Sequence, residues 1–256
     1  MQARLTVLGS GTSMGVPTIG CDCAVCHSKD PHDRRTRPSI LLEYGGRTVI
    51  IDTTPDFREQ AIRENLRRLD AVLYTHAHAD HILGLDDLRP LSYGRPEKIP
   101  LYAQPESAAL LRNMFRYIFE GNYKFGGLAQ VELKIIEGPV ELFGARFAPV
   151  RVLHGDAEIV GFRFGSAAYL TDHSAIPEES FAALQNLDVL FLDALRYKPH
   201  PTHSTVDASL AIVERVKPKR AFFTHICHDL PHEETNRTLP PNVRLSYDGM
   251  KLDFEI

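Results

Sequence analysis

The chain has 256 residues, 43% of them hydrophobic and 24% charged, with a formal net charge of -4. That length lets a core bury roughly 70 to 75% of the unfolded surface without disulfide staples. The composition excludes disorder and low complexity, and the acidic balance argues against nucleic acid or an anionic membrane as partner.

Read from the N-terminus, runs rich in Val, Ile, Leu and Phe predict strands over residues 4–8, 39–44, 48–51, 71–74, 131–136, 146–152, 158–164, 167–170, 189–192 and 221–223. Helical spacing falls over 56–67, 105–119, 178–184 and 206–216, the second headed by Pro105, which suits a first helical turn. LGSGTSMGVP, after the first strand, lacks the lysine of a phosphate loop and reads as a tight turn. EGNYKFGGLAQ, residues 120–130, reads as an exposed loop bordering a pocket. With no internal repeat and no linker-like shift in composition, one α/β domain over 1–256 is expected, layered from sheets and helices. No stretch approaches the roughly 20 apolar residues of a membrane span. The opening segment also lacks the apolar run of a signal peptide, so a cytoplasmic location is expected. In that reducing setting, clustered cysteines read as thiolate ligands or redox groups rather than disulfides.

The chemistry concentrates in DAVLYTHAHADHILGLDD, residues 70–87, where His76, His78, Asp80 and His81 crowd the turn between a strand and a helix. Imidazole mixed with carboxylate suits divalent ions such as Zn²⁺, Mn²⁺ or Fe²⁺. The segment closely resembles the HxHxDH signature of the metallo-β-lactamase fold hydrolases. Three later strand ends carry His154, Asp172 and His225, in the family's order. The resemblance implies a four-layer αββα sandwich with two mixed sheets. It also implies two catalytic divalent ions, Mn²⁺ or Zn²⁺, one on His76, His78 and His154, the other on Asp80, His81 and His225, with Asp172 bridging. Two such ions can hold a bridging hydroxide as nucleophile, which Asp80 would orient.

A general acid is sought in RYKPHPTHSTVDASL, where both His200 and His203 precede a helix. Within the resemblance, His203 sits at the matching distance before the last metal ligand, with His200 as runner-up. Asp52 resembles the family's strand-end acid that supports the ligand loops by hydrogen bonding. His27 and His173 are expected in local hydrogen bonds, and His32 and His232 at the surface.

GCDCAVCHS places Cys21, Cys23 and Cys26 within six residues. Set between GSGTSMGVP and RRTRPSILLE, this cluster resembles the PhnP-type phosphodiesterases, and the likeness runs from Leu5 to about Asp248. It implies one structural Zn²⁺ on the three thiolates and His228, a closed tetrahedral site, with Cys227 the competing fourth ligand. The implied activity is hydrolysis of a small phosphodiester, cyclic nucleotides and ribose cyclic phosphates being the named class. An RNA 3'-end nuclease of the tRNase Z kind is the alternative, although no long Gly/Pro-containing arm for tRNA is evident. A noncatalytic metal-binding member of the fold is another. No membrane partner is expected, and a homodimer stays open.

Overall fold

The computed structural model describes residues 1–120 and 127–256, so most of the loop expected over 120–130 lies outside the described residues. The strands are β1 (Gln2–Gly9), β2 (Ser39–Tyr44), β3 (Arg47–Ile51), β4 (Ala71–Leu73), β5 (Ile99–Ala103), β6 (Val131–Ile135), β7 (Val140–Leu142), β8 (Ala145–His154), β9 (Ala157–Phe164), β10 (Ala167–Leu170), β11 (Val189–Asp193), β12 (Arg220–Thr224), β13 (Val243–Leu245) and β14 (Lys251–Glu255). The helices are α1 (Phe57–Arg63), α2 (Ala79–Ile82), α3 (Arg89–Ser92), α4 (Pro105–Met114), α5 (Arg116–Phe119), α6 (Val206–Val216) and α7 (His232–Thr238).

Two sheets of seven strands form, in the orders β14-β1-β2-β3-β4-β5-β6 and β13-β12-β11-β10-β9-β8-β7. Both are mixed. The first runs parallel from β3 to β6 and the second from β10 to β13, while the remaining pairs are antiparallel.

Strand periodicity assigns each side chain to a layer. In β3, Val49 and Ile51 enter the core between the sheets, with Phe147, Phe162 and Phe191 from the second sheet, while Ile50 faces outward against Phe57 and Leu111. In β11, Val189 and Phe191 face inward, and Leu190 and Leu192 pack outward against Val213 of α6. Both faces of these central strands are therefore apolar, as parallel strands covered by helices require. Among the described residues three large apolar cores result, with a small fourth cluster of Val16, Val25 and Cys26, and the layers are helix, sheet, sheet, helix.

Elements differ from expectation where local signal was weak. The helix expected over 56–67 ends at Arg63, and Asn65 takes a left-handed conformation. The one expected over 105–119 breaks at Phe115, and 178–184 is a 3₁₀ segment.

Candidate active site

The site residues sit at the C-terminal ends of strands from both sheets. Asp52 follows β3, and His76 follows β4 with His78, Asp80 and His81 entering α2. His154 closes β8, Asp172 follows β10, Asp193 closes β11 and His225 follows β12. Three of these residues are non-glycine in left-handed backbone: Asp52 (φ 67°), Asp172 (φ 55°) and His225 (φ 57°). Such positions cost about 1–3 kcal/mol each and persist where the surroundings over-determine them.

The sequence-predicted ligands come together in two groups, His76 with His78 and His154, and Asp80 with His81, Asp172 and His225. All are buried except His78, which lies exposed. His81 Nε2 lies 3.2 Å from Asp80 and 3.3 Å from Asp172, and His225 Nε2 lies 3.2 Å from Asp172 and 3.6 Å from Asp80. Even so, Asp80 Oδ2 and both Nε2 atoms make no hydrogen bond among the described residues. Buried polar atoms that converge without bonding one another fit a shared divalent cation, because leaving them unpartnered is costly.

Tautomers are set from behind. Asp52, fully buried, accepts from the Thr75 amide and hydroxyl, both at 2.8 Å, and faces His81 Nδ1 at 2.8 Å. His154 Nδ1 donates to the Thr202 carbonyl at 2.8 Å. Each of these histidines thereby turns Nε2 to the site, the orientation that a ligand needs.

Electrostatics agree. Burial would raise the Asp172 carboxyl, but His225, His81 and His76 hold it well below the usual range. Burial opposes charge on His81, yet Asp172, Asp80 and Asp52 raise it well above its ordinary value. His225 is raised to about 9 by Asp172 and Asp80, again against burial. The carboxylates thus create a buried potential that favours positive charge.

Beside this cluster, His203 Nδ1 lies 2.7 Å from Asp193 Oδ2, and its ring stacks on His225 with centroids 4.4 Å apart. Sequence reasoning missed Asp193; a strand-terminal Asp ten residues before His203 was its only trace. His200 lies on the same loop, hydrogen-bonded locally to Thr202, with its ring 5.1 Å from that of His203. His27 pairs locally with Asp22 at 3.3 Å. His173 departs from expectation: it is fully buried, and neither ring nitrogen has a hydrogen-bond partner among the described residues.

Away from this centre, the thiols of Cys21, Cys23 and Cys26 lie 3.1, 3.5 and 3.4 Å from His228 Nδ1. Cys227 stands outside that group; its sulfur accepts from the Asp229 amide. All four cysteines are free thiols. Arg35, fully buried, ties the same segments by donating to Asp33, to the Cys227 carbonyl at 2.8 Å and to the Leu230 carbonyl at 2.6 Å. His232 is not a surface residue. It is buried, and His32 is half-buried, because the two rings pack on each other and on Tyr247.

Residues 47–226 match the family model described as a β-lactamase superfamily domain. A crystal structure described as a new diphosphatase from the PhnP family superposes with a TM-score of 0.95 at 60% identity, covering 100% of this chain and 98% of that one. The chain belongs to the PhnP family. An octanoyltransferase of Porphyromonas gingivalis is 37% identical over 253 residues, which is 97% of this chain and 51% of that protein. The chain therefore spans about half the length of that relative. Zn²⁺-bound PqqB from Methylobacterium extorquens shares the fold at a TM-score of 0.76 and 21% identity, covering 98% of this chain and 100% of that one. As a PhnP-family protein the chain is a metallo-β-lactamase fold hydrolase, and its αββα sandwich and candidate divalent-metal groups are those of a metal-dependent hydrolase. Among the described residues, no helix is long and apolar enough to cross a membrane.

Proposed function

We propose that this PhnP-family hydrolase cleaves the phosphorus–oxygen bond of a small phosphate compound, a cyclic nucleotide or ribose phosphodiester or a diphosphate. The observation that carries this reading is the convergence of unpartnered Nε2 and carboxylate atoms beside the His203–Asp193 pair. The PhnP-family relative is a diphosphatase, which supports phosphorus chemistry and widens the class from phosphodiesters to diphosphates. A net charge of -4 favours a small substrate over RNA.

His76, His78 and His154 would hold one ion, Asp80, His81 and His225 another, with Asp172 shared between them. Divalent ions bound there supply Lewis acidity at the phosphoryl oxygens and a water acidic enough to attack at neutral pH. Asp80, with Oδ2 free of hydrogen bonds, can accept from that water and orient it. His203 Nδ1 lies 2.7 Å from Asp193 Oδ2, and burial with the nearby His225 lowers its imidazole to about 4, so it would serve as acid only when the anionic substrate restores its charged form; Nε2–H would then protonate the leaving oxygen as one P–O bond forms and another breaks. The thiolates of Cys21, Cys23 and Cys26 with His228 would hold a structural Zn²⁺ apart from the reaction.

The test is a turnover panel on protein loaded with Mn²⁺ or Zn²⁺: a 2',3'-cyclic nucleotide, a nucleoside diphosphate, an RNA oligonucleotide and an octanoyl thioester. Turnover of either small phosphate, abolished in Asp172→Ala, is expected. Turnover confined to RNA would favour the nuclease alternative. Cleavage of the thioester alone would refute the phosphate reading and bring forward the acyl chemistry of the Porphyromonas relative. Full metal content with no turnover of any of them would leave a metal-binding protein.

A further inference from the structure

One group of metal-capable side chains lies outside both centres. His32, His232 and Glu233 each offer a ligand atom, and these atoms lie within 4.8 Å of one another. His32 sits in the 3₁₀ turn Pro31–Asp33, shortly after the cysteine cluster, and His232 and Glu233 open α7, shortly after His228. The two segments are already joined, since the His232 amide donates to Asp33 Oδ1 at 2.9 Å.

Three observations point to a ligand. His232 is only 4% exposed, and its Nδ1 has no hydrogen-bond partner among the described residues, a state that costs about 1–3 kcal/mol unless something supplies one. The rings of His32 and His232 stand 4.5 Å apart, and Tyr247 packs on His32 at 4.0 Å, so the two imidazoles are held as neighbours by packing. Acidic groups stand close by: Asp30 Oδ1 lies 3.8 Å from His32 Nδ1, and Asp33 pairs with the Arg35 guanidinium, which is also engaged by three carbonyls. Burial also keeps the His232 imidazole neutral, lowering it to about 4, which leaves its lone pair available at neutral pH. Two imidazoles and one carboxylate are a donor set that Zn²⁺ accepts with a position left open.

We propose that His32, His232 and Glu233 bind a divalent transition-metal ion, Zn²⁺ in the first instance, separately from the dinuclear centre and the cysteine cluster. The ion would fasten the turn Pro31–Asp33 to α7, the same two stretches of chain that the cysteines and His228 bring together. The donor set has no role in the proposed hydrolysis, so the site stands or falls independently of that reading.

Crystals of the full chain grown with excess Zn²⁺ and measured at the zinc absorption edge test it directly. An anomalous peak among the three side chains supports the site, whereas a water-sized peak without anomalous signal there, with signal at the cysteine cluster as internal control, overturns it. In solution, His32→Ala and Glu233→Gln change half-buried and exposed side chains. After equilibration with Zn²⁺, each should hold one ion fewer per chain than the wild type, with unchanged circular dichroism and unchanged hydrolysis. Equal zinc content in the wild type and in both folded variants would refute the proposal. Should His32→Ala fail to fold, Glu233→Gln and the anomalous map decide.

Discussion

Replacing Asp52 by Asn tests how the fold chooses a histidine tautomer. Asp52 is fully buried, with Oδ1 accepting from the Thr75 amide and Oδ2 facing the Thr75 hydroxyl and His81 Nδ1, all at 2.8 Å. An Asn can keep its carbonyl on the Thr75 amide, but its NH₂ then occupies the place of Oδ2 and can only donate. His81 Nδ1 must become the acceptor, and its proton moves to Nε2, the atom that lies 3.2 Å from Asp80 and 3.3 Å from Asp172. The ligand lone pair is lost from the Asp80–His81–His225 group while the hydrogen-bond count around the substituted side chain changes little. Loss of such an orienting partner weakens metal binding about 10- to 100-fold, or about 1.4–2.7 kcal/mol. In the metal-free protein the variant also removes one partner of the buried His81–Asp52 pair, so stability there should fall by about 3–5 kcal/mol. Chelator-competition titration of the purified variant measures the first quantity and urea unfolding of metal-free protein the second. Wild-type affinity in Asp52→Asn, or a stability loss without an affinity loss, would refute the tautomer argument.

Three further outcomes are expected. His203→Ala should lower turnover of unactivated phosphate esters by about 10²- to 10⁴-fold, with a smaller loss on p-nitrophenyl esters, whose leaving group needs no proton; equal losses on both would count against an acid at this position. Cys26→Ser should release one Zn²⁺ per chain and lower the melting temperature while the dinuclear centre keeps its ions, a split that metal analysis with and without mild chelation detects. Asp70→Asn tests pH linkage far from any metal. Burial opposes its charge, but Arg68, the Thr48 amide and Arg47 outweigh it and depress the carboxyl. A depressed carboxyl contributes stability above its unfolded pKa and loses it as pH falls through the folded one. The gap between wild type and Asp70→Asn in urea unfolding should therefore be open at pH 7 and close below the ordinary carboxylate range; a gap independent of pH would show that charge is not its source.

Residues whose role depends on neighbours in sequence were legible. The β2, β10 and α6 boundaries coincide with the runs read from hydrophobic pattern, because apolar stretches there end at clear breaks. Strands β5, β7, β13 and β14 went unread: β7 and β13 are three residues long, β5 contains Pro100, and β14 alternates charge with apolar residues in KLDFE. The clustered histidines and cysteines announced themselves, whereas their supports did not. Asp193 is one Asp among many until β11 and the His203 loop meet. Arg35 is an ordinary basic residue in RRTRPS until the carbonyls of Cys227 and Leu230 close over it. Asp248 accepts from Ser10 and Thr36, more than 200 positions away, a contact that only the sheet order creates. His232 looked exposed because its neighbours in PHEET are charged, and packing by His32 and Tyr247 decided otherwise.

The left-handed conformations of Asp52, Asp172 and His225, with the unpartnered nitrogens of His81 and His225, concentrate unrelaxed groups in the active site. Ions bound there would satisfy atoms that have no partner among the described residues, and would favour the folded state by mass action, by about 2.7 kcal/mol per site when free metal stands at about 100 times the dissociation constant. Thermal resistance then becomes a function of metal supply. If the site is filled, the same sequence would be a softer, more readily degraded protein under metal scarcity than under plenty, and its abundance as well as its activity would follow the free metal around it.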